Sequence, residues 1–241
     1  MSDTIIKERA GEITTIILNR PEVGNRQTDT TWAQLTEILE AAAKESRLIL
    51  FKGAGDDFCL GREAMTQPPP VLEAYALRER SETIFNLYGA FRNSKAPIIG
   101  IVQGRAVGLG CALAALCDIT VASEKARFQL PELGHNIMPT IAMSALIDRV
   151  PRKAVTYLVY STEEIEADKA LAFGLVSNVV PASQLEAAVS ALVDRLKKAP
   201  LAALLAVKEY ARSAFGMNTQ AANDFARNLH ATVNTFSGMR A

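Results

Sequence analysis

The sequence predicts an α/β fold, and three observations carry the prediction. Short β-branched runs alternate with segments whose apolar residues recur at steps of three and four. The run from 97 to 102 is almost wholly apolar, as in a strand covered on both faces. A chain of 241 residues, 49% apolar and 22% charged, is long enough to bury one large core.

The elements follow in order. Ile13 to Leu18 is a β-branched run that ends on Asn19-Arg20-Pro21, a strand entering a turn. Trp32, Leu35, Leu39 and Ala42 share one helical face, with Asp29 or Thr30 as its cap. Leu48 to Lys52 is a second strand, closed by Gly53-Ala54-Gly55, and residues 55 to 62 form a loop. Pro68-Pro69-Pro70 excludes helix and central strand. Tyr75 to Phe91 returns to helical spacing through Leu77, Ile84, Leu87 and Phe91. Pro97 to Val102 is a strand, Gly104 to Gly110 a glycine-spaced turn, Cys111 to Leu116 a buried helix, and Cys117 to Ala122 another strand. Val176 to Val180 is a late strand. From Ser183 the chain is helical, with a stripe through Leu185, Val189, Leu192 and Leu196 and a further helix opened by Pro200.

Composition excludes several functions. Lys plus Arg balances Asp plus Glu at 26 each, so no net field favours nucleic acid or an anionic membrane. Charges such as Arg105 and Asp118 interrupt the apolar runs before any reaches the length of a membrane span. Cys59, Cys111 and Cys117 form no C-x-x-C pair and read as buried reduced thiols. Two histidines, His135 and His230, are too few for a metal cluster. Met1 to Thr4 lacks the basic and apolar stretches of a signal peptide, and the expected location is cytoplasmic.

Three segments could carry chemistry. The turn Gly104-Arg105-Ala106-Val107-Gly108-Leu109-Gly110 leads from a strand into a helix, whose first N–H groups suit an oxyanion. A tight turn with no ligand fits the same residues equally well. The turn matches neither a Walker loop nor a Gly-x-Gly-x-x-Gly pattern. Asp57 to Glu63 reads alone as a surface turn around a buried Phe58 and Cys59. Glu132 stands among apolar residues, where burial would raise its pKa and make it an acid or base near neutral pH. An exposed loop glutamate is the plainer alternative. Glu163-Glu164 reads as a solvated first turn of a helix, and no Gly-x-Ser-x-Gly elbow supports hydrolysis by a Ser-His-Asp triad.

Taken together these segments acquire a meaning. Ile17-Leu18-Asn19-Arg20-Pro21 with Asn25, Phe58-Cys59 with Gly61, and Gly104-x-Ala106-x-Gly108-x-Gly110-Cys111 with Cys117-Asp118 come first. Ala126-Arg127-Phe128 with Pro131-Glu132, and Ala170 with Gly174-Leu175-Val176, follow. In this order they resemble the enoyl-CoA hydratase/isomerase, or crotonase, family over about residues 5 to 210. The resemblance implies a spiral of β-β-α turns with a helical C-terminal region. The expected division is a core of residues 1–195 and a helical oligomerisation region of 196–241. It also implies a homotrimer or a dimer of trimers, for which the apolar stretch from Leu201 to Phe236 gives an independent motive.

The implied substrate is an acyl-coenzyme A thioester, with coenzyme A entering as part of the substrate and with no separate cofactor or metal. The thioester oxygen would be held by the backbone N–H groups of Arg62 and Leu109, with Glu132 as acid and base. Leu60, Gly61, Gly108, Gly110, Ala112 and His135 would line the substrate, and Arg62, Arg78, Arg80 and Lys208 are candidate phosphate contacts.

The sequence departs from the two-glutamate pattern of hydratases. The second glutamate matches Glu132, and Ala112 stands where the first would fall. Leu60 and Arg62 replace small residues, Glu63 replaces an aspartate, and Met65 stands where a coenzyme A-binding lysine is common. Thr140-Ile141-Ala142-Met143 replaces a glycine-rich stretch. Asn136 replaces a glycine, a swap that a left-handed backbone allows. One carboxylate suffices to shift a double bond, so isomerisation of an enoyl-CoA is the first expectation. Hydration with a substitute for the missing glutamate is the second, and a non-catalytic acyl-CoA-binding or assembly protein the third.

Overall fold

The computed structural model describes residues 3–63 and 73–239. Six strands form the frame in the order β1 (Ile5–Ala10), β2 (Ile13–Leu18), β3 (Leu48–Gly53), β4 (Ile98–Val102), β6 (Ile119–Ser123) and β9 (Asn178–Val180). Within this sheet only the β1–β2 pair is antiparallel. Three shorter strands, β5 (Arg105–Val107), β7 (Arg127–Gln129) and β8 (Ile165–Glu166), make a second sheet in the order β5-β7-β8.

A parallel sheet needs cover on both faces, and the period-two alternation of its strands supplies it. Ile98 and Val102 of β4 join Ile16, Leu18, Ile49 and Phe51 in one core cluster. Ile99 and Ile101, pointing the other way, join Ile13, Leu48 and Val121 in a second. Helices α1 (Asp29–Glu45), α2 (Ala74–Asn93) and α3 (Leu109–Leu116) cover the first face with Trp32, Leu35, Ile84, Leu87 and Leu113. Three more helices, α4 (Thr140–Leu146), α5 (Arg152–Ser161) and α6 (Ala167–Ala172), pack into the same cluster. Helices α7 (Leu185–Lys198) and α8 (Leu201–Ala214) cover the second face through Leu185, Val189, Val193 and Leu204. The last helix, α9 (Thr219–Asn234), has no buried residue.

Three expectations change. Helix α1 is capped by Thr28, whose side chain takes the Thr31 N–H while the Thr31 hydroxyl takes the Thr28 N–H. Asp29 and Thr30 therefore lie inside the first turn. The glycine-spaced turn holds a three-residue strand, β5, which pairs with β7. Leu77 is 54% exposed and does not belong to the buried stripe of α2. Pro68-Pro69-Pro70 and Met65 lie outside the described residues. Among the described residues, no helix is long and apolar enough to cross a membrane.

Candidate active site

The site is assembled where two chain segments meet in front of α3. The first leaves β3 and runs through Phe58 to Glu63. Phe58 packs edge-on against Phe51 of β3, with ring centroids 5.6 Å apart, and Phe51 packs likewise on Phe91 of α2 at 5.3 Å. Asn25, left-handed at φ 57°, ties the segment down. Its amide donates to Ala54 O and Asp57 O, and its side-chain oxygen takes the Arg20 N–H. Glu63 closes the segment on Arg20 at 2.7 Å, and the paired guanidinium holds its carboxyl below the ordinary glutamate range.

The segment makes two short parallel bridges, Cys59 with Ala106 of β5 and Arg62 with Gln27, which lies just before α1. Gln27 donates to Gly61 O, and Glu63 donates back to Gln27 O. In such a bridge the residue between, Arg62, directs its own N–H to the opposite edge. Gly61 has φ +87°, and a Cβ there would sit 2.9 Å from Val107 O and 3.6 Å from the Leu109 nitrogen. Only glycine allows this approach. Gly110 is the other half of the fit, since a Cβ there would lie 2.0 Å from Cys59 O.

Leu109 is the first residue of α3, so its N–H has no intrahelical partner. Among the described residues, no acceptor takes the N–H of Arg62 or of Leu109. Two unspent donors on adjoining segments, one at a helix N-terminus, suit a developing negative charge.

Glu132 begins the 3-10 turn Glu132–His135, which follows β7. The ladder between β5 and β7 sets its distance, because Gly108 donates to Gln129 O at 2.9 Å. A Cβ placed on Gly108 would lie 3.1 Å from Glu132 Oε1. The other oxygen, Oε2, is buried without a hydrogen-bond partner. Burial raises the pKa of Glu132, while its own backbone N–H and His135 oppose the rise. The carboxyl is thus half-buried, partly unsatisfied and set against Gly108, the residue before Leu109, the setting of a group that exchanges a proton. Asn136 closes the turn with φ 59°, the left-handed backbone that a glycine replacement requires.

The remaining predicted residues fall around this centre. His135 is exposed, and its charge only tempers Glu132. The Leu60 side chain packs on the Gly24 turn, and Ala112 is fully buried beneath the N-terminus of α3. Arg62 and Arg80 share Asp29, at 3.2 and 3.3 Å, and Arg78 is exposed. Lys208 requires a correction. It is 5% exposed and bonded to both oxygens of Asp118 at 2.7 and 2.6 Å and to Phe91 O. It therefore ties α8 to α2 and to the residue just before β6 inside the protein and is not placed to meet a phosphate. All three cysteines are buried and free, and desolvation pushes the Cys59 thiol up to about 12. Among the described residues, no group of three or more His, Cys, Asp or Glu could hold a metal ion.

Tyr88 is the residue that sequence spacing passes over. It lies on the core stripe of α2, 1% exposed, yet its hydroxyl has no partner, and the charge of Glu132 reaches it. A cavity of about 850 Å³ lined by Asp118, Arg149, Pro151, Arg212 and Phe215 includes neither Glu132 nor the glycine segments.

Comparison with known proteins gives one family. Its profile, described as enoyl-CoA hydratase/isomerase, matches residues 8–239. The 2,3-dehydroadipyl-CoA hydratase of Escherichia coli is 33% identical over 92% of this chain and 86% of its own. The crotonyl-CoA hydratase of Syntrophomonas wolfei is 30% identical over 84% of this chain and 79% of its own. An enoyl-CoA hydratase of Mycobacterium smegmatis superposes with a TM-score of 0.92 at 25% identity, covering 99% of this chain and 93% of that one. A hydratase described as putative, from Thermobifida fusca and in complex with CoA, gives 0.84 at 26% identity over 95% and 92%. The ordered motifs, the fold and these matches agree, and the chain belongs to the enoyl-CoA hydratase/isomerase family.

Proposed function

We propose that this chain is an enzyme acting on acyl-coenzyme A thioesters, and that it stabilises their enolates between the N–H groups of Arg62 and Leu109 with Glu132 moving the proton. The observation that carries this reading is the junction of the two segments. The Leu109 nitrogen lies 3.6 Å from a Cβ position on Gly61, and Glu132 Oε1 lies 3.1 Å from one on Gly108. Fixed donors aimed at developing charge are commonly the largest catalytic contribution. The CoA complex of the Thermobifida relative supports the substrate class.

With one carboxylate the reaction is a double-bond shift. Glu132 takes a proton from C2 of a 3-enoyl thioester, and the electron pair moves into the thioester and is held by the two donors. Glu132 then returns the proton to C4, leaving the 2-enoyl product. Ala112 cannot hold water, so this reading expects weak hydration. The names of the relatives favour a second reading, hydration of a 2-enoyl thioester. Turnover of a panel of 2-enoyl- and 3-enoyl-CoA thioesters, followed for both products, separates the two. Fast hydration with no shift of the double bond would replace the first reading by the second.

The same family reading proposes a trimeric or hexameric assembly in the cytoplasm, with residues 196–241 as its interface. An apolar groove of about 400 Å³ between α8 and α9, lined by Val207, Tyr210, Phe215, Leu229 and Val233, supports that interface.

A further inference from the structure

In the proposed site Arg62 offers the thioester only its backbone N–H, yet the position carries a long cation where the family pattern has a small residue. A backbone donor gains nothing from that side chain, so the donor role does not explain the guanidinium. The side chain leaves the segment towards α1. Its Nε lies 3.2 Å from Oδ1 of Asp29, in the first turn of that helix. Arg80 of α2 approaches the other oxygen of the same carboxylate at 3.3 Å. Two guanidinium groups therefore share a single negative charge. Asp29 Oδ1 is buried and accepts no hydrogen bond. The contact with Arg62 is thus Coulombic, and among the described residues the donor fork of Arg62 stays unspent. The side chain is 42% exposed, open enough to meet a ligand.

Reach decides what that fork can meet. The guanidinium is tethered to the N–H that holds the thioester oxygen and lies no farther from it than one side chain extends. The phosphates of the coenzyme are separated from the thioester by the whole pantetheine arm, whereas the acyl carbons follow the carbonyl directly. The anion within reach is therefore one carried by the acyl group. A planar guanidinium fork matches a carboxylate with two parallel hydrogen bonds. Glu132 is set against Gly108 on the other segment while Arg62 extends towards α1, so a negative and a positive group flank the thioester. We propose that the Arg62 guanidinium, with Arg80 beside the shared Asp29, binds the terminal carboxylate of a dicarboxylyl-coenzyme A thioester. The proposal rests on the reading of the Arg62 N–H as a thioester donor, and it names the acyl class that this reading leaves open. The substrate carboxylate makes the charge-assisted hydrogen bonds that Asp29 does not. An uncharged acyl chain of the same length leaves the fork to water.

The test is calorimetric titration of the wild type and of Arg62→Gln, which keeps the backbone N–H, with glutaryl-CoA and with its terminal methyl ester. The wild type should bind the acid about tenfold more tightly than the ester at low salt, and the ratio should shrink as salt is added. In Arg62→Gln the ratio should fall to near one. A wild type without the preference overturns the proposal, and so does a variant that keeps it. Equal weakening of both thioesters in the variant overturns it as well, since the guanidinium would then meet the coenzyme and not the acyl group. Deuterium exchange at C2 of butyryl-CoA by the unmodified protein is measured alongside. Exchange without any preference for the acid sinks the role of the Arg62 side chain and leaves the backbone donors and Glu132 standing. Neither exchange nor binding of either thioester overturns both readings together.

Discussion

Glu132 carries a measurable signature of its burial. Its pKa is raised in the folded chain above the ordinary glutamate value of about 4.3. The folded state then binds the proton more tightly than the unfolded state. Stability is lost as pH rises from the unfolded value through the folded one. Glu132→Gln removes that loss, so the difference in thermal midpoint between variant and wild type should open as pH rises above the ordinary glutamate value and favour the variant. Equal midpoints throughout would show that the carboxyl is solvated. The catalytic limb has the opposite sign, because Glu132 must be ionised to take a proton. The rate should fall as pH drops through the same raised value. Glu132 and the glycine turns were legible because each belongs to a local string of residues. Tyr88 was not, because helical spacing assigns it to the core, and only three dimensions reveal that its hydroxyl is unpaired.

Among the elements, α3 and α8 bear on the site in different ways. The first turn of α3 presents Leu109, and Ala112 lies directly behind it, fully buried. Ala112→Glu should therefore lower stability, with about 1–3 kcal/mol from overpacking alone, read as a shift in the urea midpoint. An unchanged midpoint would mean that the site has room for the second glutamate. Helix α8 is fastened by Lys208, whose pair with Asp118 shares its carboxylate with the Ile98 N–H. Lys208→Met leaves that largely buried carboxylate without its closest charge partner, with Arg149 remaining at 3.9 Å. It should cost about 3 kcal/mol or more, with acyl-CoA affinity unchanged in the folded protein. Weakened affinity at unchanged stability would restore Lys208 as a phosphate contact. The long strands and helices were readable from periodicity. Strand β5 was hidden because three residues give no period, and the α1 cap, expected at Asp29 or Thr30, lies one or two residues earlier because Thr28, Asp29 and Thr30 are all good cappers.

At the scale of the whole molecule, the fold brings Arg62, Leu109 and Glu132 together from positions 62, 109 and 132, each held by a ladder or bridge rather than by a neighbour in sequence. What the single chain leaves open to solvent is the C-terminal face, where Val207 is 68% exposed and Phe215 85%. That apolar surface predicts an oligomer at micromolar concentration by light scattering, which the family resemblance makes a trimer or hexamer, and a monomeric mass would remove the proposed interface. Sequence could indicate the apolar stretch but not its geometry, since burial between copies depends on contacts that no local pattern encodes. The central claim is narrower than the choice between isomerisation and hydration. It is that two backbone donors and one carboxylate form and quench a thioester enolate. Proton exchange at C2 of a saturated acyl-CoA in deuterated water measures that step alone. The wild type should exchange the proton, and Glu132→Gln should bind the same thioester but exchange it slower by roughly two to four decades. Exchange at the wild-type rate in Glu132→Gln, or no exchange by a wild type that binds the thioester, would contradict the account.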